Sequence, residues 1–245
     1  MKPLLLGIAF MSTAVLAKLP EGFVYVNQID PTIKVDLRYL TDQNFIGEPL
    51  NGYKNPVAIL TREAAQALSK VQQELLANGY SLVIYDAYRP QKTVDQFVEW
   101  SKNWQDNKMK EIYYPRVNKQ DLFKLHYIAE KSSHTRGSTV DISIIPIAQP
   151  LKKVEDITEE KRTLTDKYEI IYLNDNTVDM GAAFDLFDDA SHPNSHLVDE
   201  THRDNREYLR KKMEKHGFEG FPTEWWHFTL KNEPYADVYF NFDIE

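Results

Sequence analysis

The sequence predicts an α+β fold: a single domain whose central, mainly antiparallel sheet is flanked by helices. Short β-type runs are interleaved with helical apolar periods in irregular order, which is the α+β pattern. No internal repeat, low-complexity segment or Gly/Ser-rich linker divides the 245 residues, a length that allows one large domain or two small ones. Hydrophobic residues at 42% and aromatic residues at 12% are enough for a densely packed core.

The elements follow in order. Phe23-Val24-Tyr25-Val26 and Ile33-Lys34-Val35-Asp36-Leu37 read as strands flanked by Pro20, Asp30 and Pro31. Thr61, with Glu63 and Ala64, opens a helix whose apolar positions Ala64, Leu68, Val71 and Leu75 keep the helical period until Gly79. Ser81 to Tyr85 is a short buried strand leading into Asp86-Ala87-Tyr88-Arg89-Pro90, and a second helix is expected from Lys92 to Trp104. Residues 105–131 are polar and mixed. Thr139 to Ile145 alternates like a strand, with His134 in the loop before it and Asp141 on it. Residues 146–178, with Pro146, Pro150 and a charged run, read as a surface insertion with a hairpin carrying Glu169 to Leu173. A third helix covers Thr201 to His216 before Gly217, and Trp225 to Leu230 is a final strand carrying His227.

The bulk properties narrow the function. A formal net charge of −8 leaves no basic excess for a general nucleic-acid binder and gives no attraction to anionic membranes. Lys2, an apolar stretch from Pro3 to Met11, and Ser12-Thr13-Ala14-Val15-Leu16-Ala17 read as a signal peptide over 1–17, too short to span a bilayer. The mature chain, 18–245, is then expected in the periplasm with no stable membrane insertion. Cysteine is absent, so neither disulfides, a cysteine nucleophile nor thiolate ligands are available. A tightly held metal must use His, Asp or Glu.

His134 and Asp141 lie seven residues apart across a Gly-containing loop, a gap that permits a chain reversal aiming both at one point. With His227 they supply three ligands, and an open fourth position is the mark of a catalytic zinc. The plainer reading of Trp225-Trp226-His227-Phe228 is an aromatic core strand, and both readings can hold together. Positions three apart on a strand face opposite ways, which puts Glu224 in the loop just before that strand. Arg89, held extended by Pro90, can project into a cleft, although a surface ion pair is its plain alternative. Asp185 suits a substrate ammonium or is part of an acidic loop with Asp188 and Asp189.

These stretches together resemble the D-alanyl-D-alanine dipeptidases of the vancomycin-resistance type, within the wider zinc D,D-peptidase family. The resemblance is carried by Asp36-Leu37-Arg38-Tyr39, Asn44-Phe45, Asp86 to Pro90, Ser132 to Asp141, Met180 to Asp185, Gly217-Phe218-Glu219 and Glu224 to Phe228, in family order. It implies one zinc ion (Zn2+) per chain on His134, Asp141 and His227. It also implies Glu224 as the base, Arg89 on the oxyanion, Asp185 on the free amino group, and Ser132 and Tyr39 lining the pocket for a small D,D-dipeptide. The insertion at 146–178 and the signal segment depart from the family pattern; export argues for scavenging or wall turnover over antibiotic resistance. Two alternatives share the same centre: a zinc D,D-carboxypeptidase or endopeptidase acting on peptidoglycan stem peptides, and a non-catalytic module that keeps the zinc. Retention of Glu224 and Arg89 counts against the second.

Overall fold

A computed structural model describes residues 18–245; the expected signal segment lies outside the described residues. In chain order the first half contains β1 (Phe23–Tyr25), the single-turn α1 (Val26–Ile29), β2 (Lys34–Val35), β3 (Ile59–Thr61), α2 (Arg62–Ala77) and β4 (Tyr80–Asp86). There follow α3 (Gln91–Lys102), the short α4 (Lys110–Tyr113), β5 (Thr139–Pro146), β6 (Thr158–Thr163) and β7 (Glu169–Asn174). The chain closes with α5 (Glu200–Lys215), β8 (Phe218–Phe221) and β9 (Glu224–Leu230).

The main sheet has the order β2-β4-β5-β9-β8, in which β2–β4 is parallel and every other pair antiparallel. This is the α+β architecture expected. Leu82, Val83, Ile84 and Tyr85 on β4 are all buried, as are Val140, Ile142, Ile144 and Ile145 on β5. Both strands are therefore covered on both faces, which explains their nearly unbroken apolar runs. Helices α2 and α5 touch each other and pack against β4 and β8.

Helix α2 starts where the Thr61 hydroxyl accepts the Ala64 N–H, and buries Ala64, Ala65, Leu68, Val71 and Leu75. It stops at Asn78, before Gly79 in the left-handed region. Gln72, on the buried face, donates to Ser81 Oγ at 2.9 Å and accepts from the Leu82 N–H at 2.7 Å, pinning the helix to β4. Helix α3 begins at Gln91 behind Pro90 and ends at Lys102, so Trp104 lies outside it, 59% exposed.

The two N-terminal strands are shorter than the apolar runs suggested. Val26 leaves β1 to start α1, and β2 ends at Val35 because the chain turns into a 3-10 turn at Arg38–Leu40. Within 146–178, β6 is largely exposed while β7 buries Ile170, Tyr172 and Leu173. Arg162 on β6 pairs bidentately with Asp179 at 2.6 and 2.7 Å, fastening the hairpin to the chain that follows it.

Register sets up the chemistry. Asp141 on β5 is the direct partner of Asp86 on β4 and of His227 on β9, so the three stand side by side across the sheet. Directly opposed residues on neighbouring strands bring their Cβ atoms to about 4.5–5.5 Å. The turn Ser133–Arg136 then returns to β5 through Gly137, at φ +85°, whose carbonyl accepts the Thr61 N–H at 2.7 Å. A Cβ on Gly137 would lie 2.2 Å from the Phe23 ring. Gly137→Ala is expected to cost about 1–3 kcal/mol through strain and overpacking. Urea unfolding would register this as a lower midpoint, whereas an unchanged midpoint would show that the turn has room to adjust.

Candidate active site

His134 is carried by the turn before β5, and its Nδ1 lies 2.7 Å from the Ala87 carbonyl. A ring that donates Nδ1–H to a carbonyl leaves the Nε2 lone pair free to bind a cation. His227 uses the opposite nitrogen: its Nδ1 faces the site while Nε2 lies 3.2 Å from Ser133 Oγ. Between the rings sits Asp141, whose Oδ1 is 3.2 Å from His134 Nε2 and 3.2 Å from His227 Nδ1. The two ring nitrogens are 3.3 Å apart, closing a nearly equilateral triangle.

This triangle fits a metal ion. Tetrahedral bonds of 2.0–2.1 Å put neighbouring ligand atoms roughly 3.3 Å apart. Asp141 Oδ1 is buried with no hydrogen-bond donor, although buried polar atoms are normally satisfied. These are also the only three such residues grouped closely enough to hold a metal among the described residues.

The electrostatics agree. Burial alone would raise the Asp141 carboxyl, but the adjoining His134 and His227 rings hold it well below the usual carboxylate range. Burial alone would likewise lower His227, yet the adjoining Asp141 and Glu224 carboxylates push it from the usual 6.5 up to about 9. The site draws positive charge to His227 Nδ1, as a proton or as a metal.

Glu224 Oε2 lies 3.3 Å from His227 Nδ1. The structure corrects one expectation here: Glu224 is the first residue of β9, not part of the loop before it. On β8, adjacent Gly220 and Phe221 pair with Phe228 and Glu224, leaving Trp225, Trp226 and His227 without register partners on that strand. Such a bulge breaks the two-residue alternation, so Glu224 and His227 reach the same side despite their spacing.

Arg89 follows β4 and is buried, not a surface ion pair. Its Nε donates to Asp86 Oδ2 at 2.8 Å, Nη2 lies 3.4 Å from Asp141 Oδ2, and Nη1 is 3.5 Å from Ser132 Oγ. The guanidinium rests over the Tyr39 and Phe97 rings at 5.0 and 5.1 Å. Asp185, 4% exposed, accepts the Tyr39 hydroxyl at 2.8 Å. Burial and the nearby Asp141 charge push its carboxyl well above the usual range, against the pull of Tyr39 and Arg89.

A cleft of about 270 Å³ joins these groups. Tyr39, Arg89, Ser132, Asp141, Asp185, Glu224 and His227 line it, and His134 sits behind them, 1% exposed. All eight residues expected from the sequence therefore meet at one place. Asp86 belongs with them but was assigned no part, although it stands in the same Asp86 to Pro90 stretch. Fully buried, it also accepts the Tyr53 hydroxyl at 2.6 Å and lies 3.5 Å from His134 Nδ1. Tyr53 and Phe97 carry no sequence signal; only folding brings them here.

A cleft built this way is that of a metallopeptidase. The sequence model of the peptidase M15 family, described as D-ala-D-ala dipeptidase, matches residues 20–150 and 170–245, and the chain belongs to that family. A D-alanyl-D-alanine dipeptidase of Enterococcus faecalis is 35% identical over 224 residues, 91% of this chain and 98% of the relative. One from Enterococcus faecium is 33% identical with the same coverage. One from Escherichia coli is 28% identical over 205 residues, 82% of this chain and 81% of the relative.

The raised His227 has a sign that can be tested. The stabilisation from its charged ring is complete below pH about 6.5 and is lost as pH rises through about 9. Near neutral pH the metal-free ring carries a proton that an incoming cation must displace, so binding should release roughly one proton. Calorimetry in buffers of different ionisation enthalpy measures this; no release would mean the ring is neutral beforehand.

Proposed function

We propose that this protein hydrolyses D-alanyl-D-alanine-type dipeptides with one zinc ion held by His134, Asp141 and His227. The observation that carries the reading is the triangle of ligand atoms at 3.2–3.3 Å with Glu224 3.3 Å from one corner. Zinc in such a set lowers the pKa of water and polarises a carbonyl.

The chain's own groups divide the remaining work. Glu224 accepts the proton of the attacking water and returns it to the departing amine, as general base and then general acid. Arg89 meets the negative charge developing on the carbonyl oxygen, and loss of one such donor typically costs about 10²–10³ in rate. Asp86 holds the Arg89 Nε at 2.8 Å, so the guanidinium cannot swing away from the cleft.

Asp185 gives the site its preference for short substrates. A buried carboxylate without a cation is costly, and a free substrate ammonium relieves that cost. A longer or N-acylated peptide presents a neutral amide there and leaves Asp185 unpaired. Tyr39 steadies that carboxylate, and Ser132 borders the same pocket. The cleft volume, at the low end of ligand pockets, suits a small molecule. The signal-like sequence of residues 1–17 supports a periplasmic role in turnover or scavenging of wall-derived dipeptides. No helix among the described residues is long and apolar enough to cross a membrane.

Glu224→Ala is expected to keep its zinc by metal analysis while hydrolysis falls about 10²–10⁴-fold; unchanged turnover would remove it as the base. Chelation should abolish hydrolysis and zinc restore it, and His134→Ala should purify with little metal. Asp185→Asn should reduce kcat/KM for free dipeptides far more than for their N-acetyl forms. Equal losses on both would discard the ammonium anchor, and a pentapeptide cleaved better than the dipeptide would favour the carboxypeptidase alternative.

A further inference from the structure

Arg206 on α5 is buried, only 2% exposed, yet its hydrogen bonds all go to backbone carbonyls. The other two deeply buried arginines, Arg38 and Arg89, lie against carboxylates. Arg206 instead donates from Nε to Met180 O at 2.7 Å, from Nη1 to His192 O at 2.7 Å and from Nη2 to Ala190 O at 2.9 Å. Burying a guanidinium with no carboxylate in hydrogen-bond contact is expensive, and burial pushes its pKa down to about 9 against the pull of the Asp179 charge.

Those three carbonyls stand at the two feet of one loop, residues 180–192, and Asp185 lies near its middle. Asp185 has φ +62°, in the left-handed region that non-glycine residues rarely occupy. Such a conformation persists only where the surroundings enforce it. Asn205, next to Arg206, donates to Asp179 O at 2.8 Å and fastens the first foot a second time. Inside the loop, Ala182, Leu186 and Ala190 pack with Val198, Leu164 and Ile170, and Ser191 Oγ donates to Leu186 O at 2.6 Å. The backbone costs and the buried charge thus converge on the segment that presents one carboxylate to the cleft.

We propose that Arg206 is a positioning residue for Asp185: by closing the feet of the 180–192 loop it holds the turn that aims this carboxylate at the substrate's ammonium, and so sets the preference for dipeptides with a free amino group. The inference rests on the ammonium-anchor reading of Asp185. A lysine at position 206 keeps the charge but has one nitrogen where three carbonyls need separate donors.

The test uses the full mature chain loaded with zinc, assayed on D-Ala-D-Ala and on N-acetyl-D-Ala-D-Ala. In Arg206→Lys the ratio of kcat/KM values should fall about tenfold, mainly through KM for the free dipeptide, the scale of one weakened charge-assisted contact. Hydrogen exchange should quicken at the Phe187 amide of this loop, which donates to Tyr113 O at the end of α4, and stay unchanged in β5. Asn205→Ala, a milder change at the same foot, should move both readouts in the same direction by less. An unchanged substrate ratio in either folded variant, with only a lower melting temperature, would reduce Arg206 to a general staple and overturn the proposal. Asp185→Asn separates the two ideas. If it leaves the ratio unchanged, the ammonium reading itself fails; if it collapses the ratio while Arg206→Lys does not, only the role of Arg206 fails.

Discussion

A carboxylate buried in the middle of a β-sheet must be compensated, and Asp141 is that carboxylate, 2% exposed on the central strand β5. The register places Asp86 on one side of it and His227 on the other. His134 comes from the turn that enters β5, and Arg89 from the chain that leaves β4. Asp141, Asp185 and Glu224 line one cleft and Asp86 is buried behind it, whereas Arg89 is the one guanidinium among them. Acids crowded in this way favour a bound cation at the triangle and a cationic group on the substrate near Asp185. Both follow from the same concentration of buried acid.

The aromatic residues make that concentration tolerable and useful. Tyr39, Phe45, Phe97, Phe184 and Phe187 form a connected group of ring contacts beside the cleft. Tyr39 and Phe97 cover the Arg89 guanidinium and limit where it can lie. Charge interactions are stronger where water is excluded, so fixed dipoles and charges act on a reacting carbonyl with little reorganisation. Stability is given up locally to hold Asp185 in a left-handed conformation and Arg206 hydrogen-bonded to carbonyls in place of a carboxylate, and the packed sheet and helices supply the rigidity that makes this possible.

Much of the site was legible because its residues fall in short stretches whose chemistry is local. Ser132 to Asp141 contains a hydroxyl, an imidazole, a glycine able to reverse the chain, and a carboxylate on a strand. Glu224 to His227 contains an acid and an imidazole three apart. Strand and helix types were legible for the same reason: α2 announces itself by its cap and apolar period, and β4 by its buried run. Glu224 escapes such a reading because two-residue alternation assumes a regular strand, and the Trp225–His227 stretch of β9, which has no register partner on β8, breaks it. Asp86 is not legible in the sequence because a carboxylate beside an arginine reads as an ordinary pair, and only the fold shows it fully buried against His134 and Tyr53.

The sequence by itself determined the α+β class, the kinds of group available for chemistry and the absence of any thiol, since these depend on composition and on neighbours close along the chain. It also named eight of the residues that line or back the cleft, through short motifs in a recognisable order. Only the tertiary structure decided the distances among them, because a triangle of 3.2–3.3 Å is a property of strand register, and register is set by pairings between residues more than eighty positions apart. The tertiary structure alone also brought Arg206 beneath the Asp185 loop, since a buried cation bound only by backbone carbonyls leaves no complementary side chain for a sequence reader to find.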